Sequence, residues 1–313
     1  MFELPIVGPT SHYFYSQRLK LHYVDWGNTA KPLVVLIHGG RDHARSWDQV
    51  ALPLRSEYHL IAPDLRGHGD SEWAHGSEYS MVEYVLDLAQ LLGHLATFPV
   101  LLIGHSLGGA IALQYSGIYP ERVARVVAIE GLGPSPHLIA QRLPHERMQA
   151  WIGEMRAFAG RHPHRYATLT DAVQRMRGAN PRLSEAMAHH LTVHGTNRNE
   201  DGTYTWKFDN YVRASSPYDF NLEDARRLWD RITCPTLLIR GADSRATDPE
   251  RDGRAAAFRQ QRSVTIPNAG HWVHHDQLAA FLQEVRTFLS DRRPLSYPSL
   301  RQGEQDAGVR GAL

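Results

Sequence analysis

The chain has 313 residues, and its 34 basic and 33 acidic side chains leave a net charge near +1. This balance provides no broad positive surface for nucleic acid or anionic lipid, and no apolar run of 18 residues predicts membrane insertion. The N-terminal segment lacks a basic region followed by an apolar core, so we expect no signal peptide. Because the lone cysteine, Cys234, cannot form an internal disulfide, a cytoplasmic location is favoured. The histidines follow no metal-ligand spacing, so we expect no metal site. We also expect no cofactor, because the reaction predicted below needs none.

Apolar strands alternate with helices over the first 131 residues. In chain order the pattern predicts strands at 19–27 and 32–40, a helix at 46–57, a short strand and turn over 58–71, a helix at 80–96, a strand at 99–103, a helix from 106 and a strand at 123–131. Ser80 and Glu83 form a capping box, and Pro53 is expected to bend or end its helix. Such alternation is typical of a parallel sheet covered on both faces, with ligands at the carboxyl ends of its strands.

The alternation stops between residue 137 and about residue 215. This segment is rich in Arg, His, Met and aromatic residues and has helical stretches, with one weak strand signal at "YTWKF". The alternation then resumes with a helix at 222–232, a strand at 235–241, a helix near 249–260, a strand at 263–267 and a helix at 274–290. We therefore predict a core domain formed by residues 1–134 and 219–290, a helical lid formed by residues 135–218, and a mobile tail at 291–313.

The stretch "LLIGHSLGGA" (101–110) places Ser106 between a buried strand and a helix. A Gly-x-Ser-x-Gly unit in that context is a nucleophile elbow, a tight turn that lifts the serine hydroxyl above the sheet. The turn is crowded, so side chains at Gly104 and Gly108 would clash with neighbouring backbone. Ser106 is therefore predicted to be a nucleophile rather than only a helix cap.

Two backbone N–H groups are predicted to form an oxyanion hole beside this serine. Leu107 begins the helix, where backbone N–H groups point outward and favour negative charge. Gly40 ends "LIHGG", the loop that normally supplies the second donor. Since glycine has no side chain, its backbone can approach a substrate closely.

The general base is predicted to be His271, which follows the last strand in "VTIPNAGHWVHHDQ". Gly270 allows the loop to turn the imidazole back over the sheet. His274 and His275 are expected to be surface or capping groups. His105, inside the elbow, is interpreted as a packed, hydrogen-bonded histidine.

Together these segments resemble an α/β-hydrolase fold serine hydrolase over residues 18–131 and 219–290. The resemblance rests on "HGG", "DLRGHGDS", "GHSLGGAIAL", "CPTLLIRG" and "AGHWVHHDQ". It implies a mostly parallel central sheet flanked by helices, with the helical lid inserted after the sixth strand. It also implies the order nucleophile, acid, histidine along the chain.

The acid departs from the usual pattern of that family. Ser244 stands where the aspartate after the seventh strand is expected, and Asp243 lies one residue earlier. Some relatives carry the acid after the sixth strand, where this chain has Glu130 in "VVAIEGLGP". A carboxylate that ends an apolar strand needs a partner, and a histidine would provide one. The sequence favours Glu130 and leaves Asp243 as the alternative.

The predicted function is hydrolysis of an ester-like bond in a small molecule. Carbon–carbon bond cleavage and acyl transfer use the same residues, and a receptor with little turnover is a third reading. Dehalogenases and epoxide hydrolases resemble this fold but carry aspartate at the elbow. Trp47, Trp151 and Trp206 are expected in core packing, with the pocket wall as the alternative.

Overall fold

Eight strands form the central sheet of the computed structural model, which describes residues 8–76, 79–138, 143–214, 216–218 and 220–291. The predicted mobile tail lies outside these ranges from residue 292 onward. The described ranges contain ten strands in all, which are β1 (Thr10–Ser16), β2 (Leu19–Asp25), β3 (Leu33–Ile37), β4 (His59–Pro63), β5 (Val100–His105), β6 (Val123–Ile129), β7 (Thr196–Arg198), β8 (Tyr204–Trp206), β9 (Thr236–Gly241) and β10 (Gln261–Ile266). Of these, β7 and β8 form a separate hairpin.

The central sheet has the order β1-β2-β4-β3-β5-β6-β9-β10. β1 pairs antiparallel with β2, β2 pairs antiparallel with β4, and the remaining neighbours are parallel. The predicted mostly parallel sheet is therefore confirmed. The sequence pattern missed β1, because this edge strand buries only Phe14 and Ser16 and so carries little apolar periodicity.

Helices cover both faces of the sheet. They are α1 (Asp48–Leu54), α2 (Met81–Leu95), α3 (Leu107–Ile118), α4 (Pro144–Phe158), α5 (Leu169–Ala179), α6 (Glu185–Gly195), α7 (Leu222–Arg231), α8 (Val273–Asp276) and α9 (Leu278–Ser290). In β3, Val35 and Ile37 pack with the apolar residues of α2, α3 and α7. The alternate residues Val34 and Leu36 pack with those of α1 and α9. Burial on both faces explains why the strand sequence is continuously apolar.

Two helix predictions have different outcomes. The capping box of Ser80 and Glu83 is present at the start of α2, as the sequence predicts. The helix predicted near 249–260 is wrong, since only a short 3-10 turn forms at Ala255–Ala257. Asp248 accepts a hydrogen bond from the Glu250 N–H, and the carboxylates of this segment thus compete with a helical hydrogen-bond ladder.

The inserted segment, residues 135–218, lies between β6 and α7. It contains α4, α5, α6 and the β7–β8 hairpin, whose second strand corresponds to the weak signal in "YTWKF". A small apolar cluster joins α5 and α6 through Val173 and Leu191. Polar contacts tie the segment to the core, including the ion pair of Lys207 with Asp70 at 2.8 Å. None of the helices in the described ranges is long and apolar enough to cross a membrane.

Candidate active site

Ser106 occupies the turn between β5 and α3. Its backbone has φ 51° and ψ −114°, a region that residues with side chains rarely adopt. The strain is held by two hydrogen bonds: the Ser106 N–H donates to the Ile129 carbonyl at 2.8 Å, and the Ser106 carbonyl accepts from Ala110 at 3.1 Å. The turn therefore presents the hydroxyl beyond the carboxyl ends of the parallel strands.

The glycines flanking Ser106 are required by close backbone contacts. A Cβ on Gly104 would lie 2.3 Å from the carbonyl oxygen of Gly108, and one on Gly108 would lie 2.2 Å from the carbonyl oxygen of Ile37. Both distances are far below van der Waals contact with atoms that cannot move aside. The steric reason that the sequence predicts for these glycines is thus confirmed.

Glu130 follows β6 and turns its carboxylate toward the loops after β9 and β10. Its Oε1 accepts from the Gly241 N–H at 2.9 Å, and its Oε2 accepts from Ser244 Oγ at 2.5 Å. The same Oε2 lies 2.8 Å from Nδ1 of His271, and the Glu130 side chain is fully enclosed. Ser244, for which the sequence predicts no role, stands where the family usually has an acid, and that position is the signal that it borders the Glu130 carboxylate.

His271 lies in the loop after β10, and about half of its side chain is exposed. The preceding Gly270 donates its N–H to Asp276 at 2.7 Å, which fixes the turn. The His271 carbonyl accepts a hydrogen bond from Nε2 of His105 at 2.9 Å. Burial lowers the pKa of His105 well below its usual value, so this ring is neutral. His105 is packed and hydrogen-bonded as predicted, and it also holds the backbone of the histidine loop.

Asp243 is not brought to the ring of His271. Its Oδ2 accepts from Nη2 of Arg182 at 2.9 Å, and both side chains are nearly half exposed. Its backbone N–H donates to Ala269, which joins the loops after β9 and β10. Within the described ranges, the carboxylate that contacts the histidine ring is that of Glu130.

A cavity of about 1060 Å³ brings the predicted site residues together. Gly40, Ser106, Leu107 and His271 all line it, and the inserted segment contributes a wall at 179–183. No hydrogen bond joins the Ser106 hydroxyl to the His271 ring among the residues that the structure describes. In unliganded sites such bonds are often long and form only with substrate.

The two histidines of α8 differ from their predicted surface position. His274 is fully buried and stacks on Trp47, with ring centroids 4.6 Å apart. Burial lowers the pKa of His274 well below its usual value and that of His275 to about 3. The surface interpretation is therefore wrong, because a four-residue helix has too little periodicity to reveal its buried face. Trp47 is a core residue as expected.

Two clusters place three potential metal ligands within 4.8 Å of one another: Asp48, His190 and His194, and His22, Asp64 and Asp70. In the first cluster, Nη2 of Arg45 forms an ion pair with Oδ2 of Asp48 at 2.6 Å. In the second, Asp64 accepts from His22 and from backbone N–H groups. Internal donors thus saturate the central carboxylate of each cluster. Neither cluster includes a residue that lines the Ser106 cavity.

Comparison with known proteins adds four findings. Residues 32–278 match the sequence profile of the family described as alpha/beta hydrolase fold. The chain is 29% identical to esterase Rv0045c of Mycobacterium tuberculosis over 272 residues, with 85% of each chain covered. It is 26% identical to epoxide hydrolase 4 of Mus musculus over 290 residues, covering 85% of this chain and 77% of that protein. Among solved structures, a thioesterase domain from the curacin biosynthetic pathway superposes with a TM-score of 0.78 at 24% identity, covering 90% of this chain and 100% of that domain.

Proposed function

Because this chain belongs to the alpha/beta hydrolase fold family, we propose that it is a serine hydrolase that cleaves an ester-like bond of a small molecule through an acyl-enzyme on Ser106. One observation carries the proposal. The strained serine shares a cavity with His271, and the other side of that imidazole is bonded to the enclosed carboxylate of Glu130. This is the arrangement of nucleophile, base and orienting acid that activates a hydroxyl.

The first step is attack of the Ser106 hydroxyl on the substrate carbonyl. With Nδ1–H of His271 donated to Glu130, Nε2 of that ring is left to accept the serine proton. The ring then returns this proton to the leaving alcohol as the carbonyl–oxygen bond breaks. In the second half, His271 takes a proton from water, and the resulting attack releases the acid and restores Ser106.

The negative charge on the carbonyl oxygen is stabilised by the backbone N–H groups of Gly40 and Leu107. Both residues line the cavity beside Ser106, and Leu107 is the first residue of α3. N–H groups at a helix start are oriented before the reaction and need no rearrangement when charge develops. Removing one such donor costs about 10²–10³ in kcat in other serine hydrolases.

Glu130 acts as the acid of the triad and Asp243 does not. Glu130 is held in place by the Gly241 N–H and the Ser244 hydroxyl, so its Oε2 stays aligned with His271. Asp243 instead pairs with Arg182 of the inserted segment, and that pair joins the loop after β9 to the cavity wall.

The residue at position 106, in the nucleophile elbow, helps to distinguish between the reactions that this fold can catalyse. A relative is named epoxide hydrolase, and the family members with that activity carry aspartate as the nucleophile, whereas this chain has Ser106. Serine forms an ester with an acyl group, which supports ester or thioester cleavage. Carbon–carbon bond cleavage and acyl transfer proceed through the same groups and remain alternatives, as does a receptor with little turnover.

The inserted segment serves as a lid that selects the substrate. Its residues 179–183 wall the cavity, while the groups proposed for catalysis all belong to the core. A cytoplasmic location remains a proposal from the sequence. It accords with the single cysteine, Cys234, which is buried and whose pKa burial raises to about 12.

A fluorophosphonate probe tests the proposal directly, because it labels only activated serines. We expect stoichiometric labelling of the wild-type chain and none of Ser106→Ala, with matched circular dichroism spectra for the two proteins. A panel of p-nitrophenyl esters then distinguishes esterase activity from the alternatives. Absence of labelling in a folded wild-type chain would support the receptor and overturn the proposal.

A further inference from the structure

Arg254 is a buried cation that the proposed reaction does not use. Its side chain is 3% exposed, and of the arginines in the described ranges only Arg66 is as fully buried. The Arg254 guanidinium pairs with the carboxylate of Asp252, with Nη2 2.8 Å from Oδ2 and Nε 3.0 Å from both oxygens. A buried charge is costly unless it is paired and fully hydrogen-bonded, so the other donors of this guanidinium also need partners.

The other donors of Arg254 bind two loops that follow different strands. Nη1 donates to the carbonyl oxygens of Leu132 and Gly133, at 3.4 and 3.1 Å, in the loop after β6. Nη2 donates to the carbonyl and the hydroxyl of Thr247, at 3.3 and 3.1 Å, in the loop after β9. One buried guanidinium therefore joins the two loops.

These two loops carry the acid proposed for the triad and the hydroxyl that contacts it. The first contact of Arg254, Leu132, comes two residues after Glu130. The second contact, Thr247, comes three residues after Ser244. The hydroxyl of Thr247 also lies 2.6 Å from that of Ser135, which is buried and lines the cavity of about 1060 Å³. The polar network around Arg254 thus extends to the wall of the catalytic cavity.

The backbone of Glu130 is strained and depends on what holds the chain around it. Its φ of 51° lies in the left-handed region, which residues with a side chain rarely adopt. Such a conformation persists only where the surrounding structure fixes it. On one side, the Glu130 N–H donates to the Ile239 carbonyl of β9 at 2.8 Å. On the other side, the chain is held by the bonds from Arg254 to Leu132 and Gly133.

We propose that Arg254 is a positioning residue, which keeps the Glu130 carboxylate aligned with His271 by fixing the loops after β6 and β9 against each other. This inference rests on the proposed function for the reaction, and it adds a residue that acts through the acid of the triad. A guanidinium suits the task because its N–H donors form a rigid planar fork, whereas a lysine ammonium is a point charge on a flexible stem.

Variants of the two fully buried arginines test the inference. Arg254→Gln and Arg254→Lys should lower kcat on an activated ester about 10²-fold, the loss expected when a reacting group is displaced by about 1 Å, with little change in KM. Arg66→Gln removes an equally buried arginine that pairs with Glu83 and Asp87 of α2, so kcat of its folded fraction should be unchanged. Equal losses of kcat in Arg254→Gln and Arg66→Gln would overturn the assignment, because both would then reflect lost stability.

A double variant shows whether Arg254 acts through Glu130. Once the carboxylate is gone, nothing is left to align, so Arg254→Gln should lower kcat no further in a protein that already carries Glu130→Gln. A second loss of about 10²-fold in the double variant would contradict the inference.

Thr247→Val provides a milder test that does not remove the buried charge. It deletes the hydroxyl that contacts both Arg254 and Ser135, so kcat should fall with little change in KM. Thr247→Ser keeps the hydroxyl and should retain the wild-type kcat. If Arg254→Gln fails to fold, this pair decides the matter, and equal kcat values for Thr247→Val and Thr247→Ser would overturn the inference.

The tautomer of His271 separates this inference from the proposed reaction. Because Nδ1 lies 2.8 Å from Glu130, the neutral ring of the wild type should carry its proton on Nδ1. Nitrogen-15 NMR of histidine-labelled protein measures this without substrate, and His271→Gln identifies the signal. A larger Nε2–H fraction in Arg254→Gln than in Arg66→Gln supports the positioning role even if no ester is hydrolysed and the serine is not labelled. Identical His271 signals in the wild type, Arg254→Gln and Thr247→Val would overturn it.

Discussion

The core and the inserted segment of this protein are built by different physical means. The central strands of the core sheet, such as β3 and β5, are buried along their whole length, and the catalytic candidates follow strand ends in fixed positions. In the inserted segment, α4 buries no residue, and the small cluster around Leu191 is its apolar centre. Aromatic contacts, arginines and polar bonds supply much of the rest.

We propose that this difference separates the groups that carry out the reaction from those that select the substrate. A nucleophile must be held within tenths of an ångström, and the dense packing around Gly104 and Gly108 provides that precision. A substrate wall tolerates more variation, because it must only exclude or admit a group of a certain size and charge. We therefore expect core substitutions to change kcat or folding stability, and substitutions in the inserted segment to change KM and preference.

The largest effect is expected in the core, from Ser106→Ala. Removal of the hydroxyl should reduce kcat on any activated ester by 10⁴-fold or more, because no acyl-enzyme can form. Folding should be unaffected, since the side chain makes no hydrogen bond within the described ranges. Substantial turnover by purified Ser106→Ala would show that the nucleophile lies elsewhere.

The next prediction compares the loss of kcat when each of two carboxylates is replaced, one enclosed in the core and one facing the inserted segment. Glu130→Gln should lower kcat about 10⁴-fold, because an amide N–H in place of Oε2 favours the wrong tautomer of His271. Asp243→Asn should lower it less than about tenfold, since an exposed ion pair with Arg182 contributes little.

Steady-state kinetics of both variants on one ester give the comparison. If Asp243→Asn were the more impaired and Glu130→Gln near normal, the assignment of the acid would reverse.

A buried ion pair of the core and an exposed ion pair of the inserted segment should also differ in how much they stabilise the folded protein. Arg66 is buried and contacts both carboxylate oxygens of Asp87 at 2.6 and 2.7 Å. Arg66→Met leaves Asp87 buried without its partner, so we expect a loss of about 3–5 kcal/mol in the free energy of unfolding. Arg165→Met breaks the exposed pair with Asp201 in the inserted segment and should leave the urea midpoint unchanged. Similar urea midpoints for the two variants would contradict this prediction.

Acid should destabilise the core through its buried histidines. Burial lowers the pKa of His38 to about 3 and that of His68 to about 4. In the unfolded chain both titrate near 6.5, so between pH 6.5 and about 4 the unfolded state binds more protons. The free energy of unfolding should therefore fall by up to about 1.4 kcal/mol for each unit by which the pH is lowered in this range, for each such histidine.

The contribution of His190 in α6 to the pH dependence of stability has the opposite sign, since its hydrogen bond to Asp48 raises its pKa. Its contribution is present at low pH and is lost as the pH rises through that raised pKa. Urea titrations at pH 7.5, 6.5, 5.5 and 4.5 measure the sum, and His68→Asn should flatten the slope. A flat profile below pH 6.5 would contradict the prediction.

The smallest effect is expected in the cavity wall. Ala179 is exposed at the end of α5 and lines the cavity, so Ala179→Leu narrows it. We expect KM for long acyl esters to rise up to about tenfold relative to short ones, the range set by a few methylene groups in a pocket, with little change in Tm. Ala167→Leu, exposed in the same segment but outside the cavity, is the matched control. An equal change of KM for all chain lengths would argue against size selection by this wall.

Local signals in the sequence were enough to predict the sheet and the crowded turn that carries Ser106. Strand burial on both faces produces continuous apolar runs, and the crowding of the elbow demands Gly104 and Gly108, so both features are legible in a few adjacent residues. The same holds for His271, which follows the last strand behind a glycine. Edge strand β1 escaped detection because it buries too few residues to leave such a run.

Which of the two carboxylates, Glu130 or Asp243, contacts His271 depends on packing between distant parts of the chain. Glu130 and His271 are separated by 141 residues, and their contact arises only when β6, β9 and β10 are brought side by side. Both carboxylates follow strands at the same edge of the sheet, so local pattern could not rank them by geometry. The inserted segment is a stronger case: the pairing of Arg182 with Asp243 follows from packing between loops, and loop packing has no period that a sequence displays.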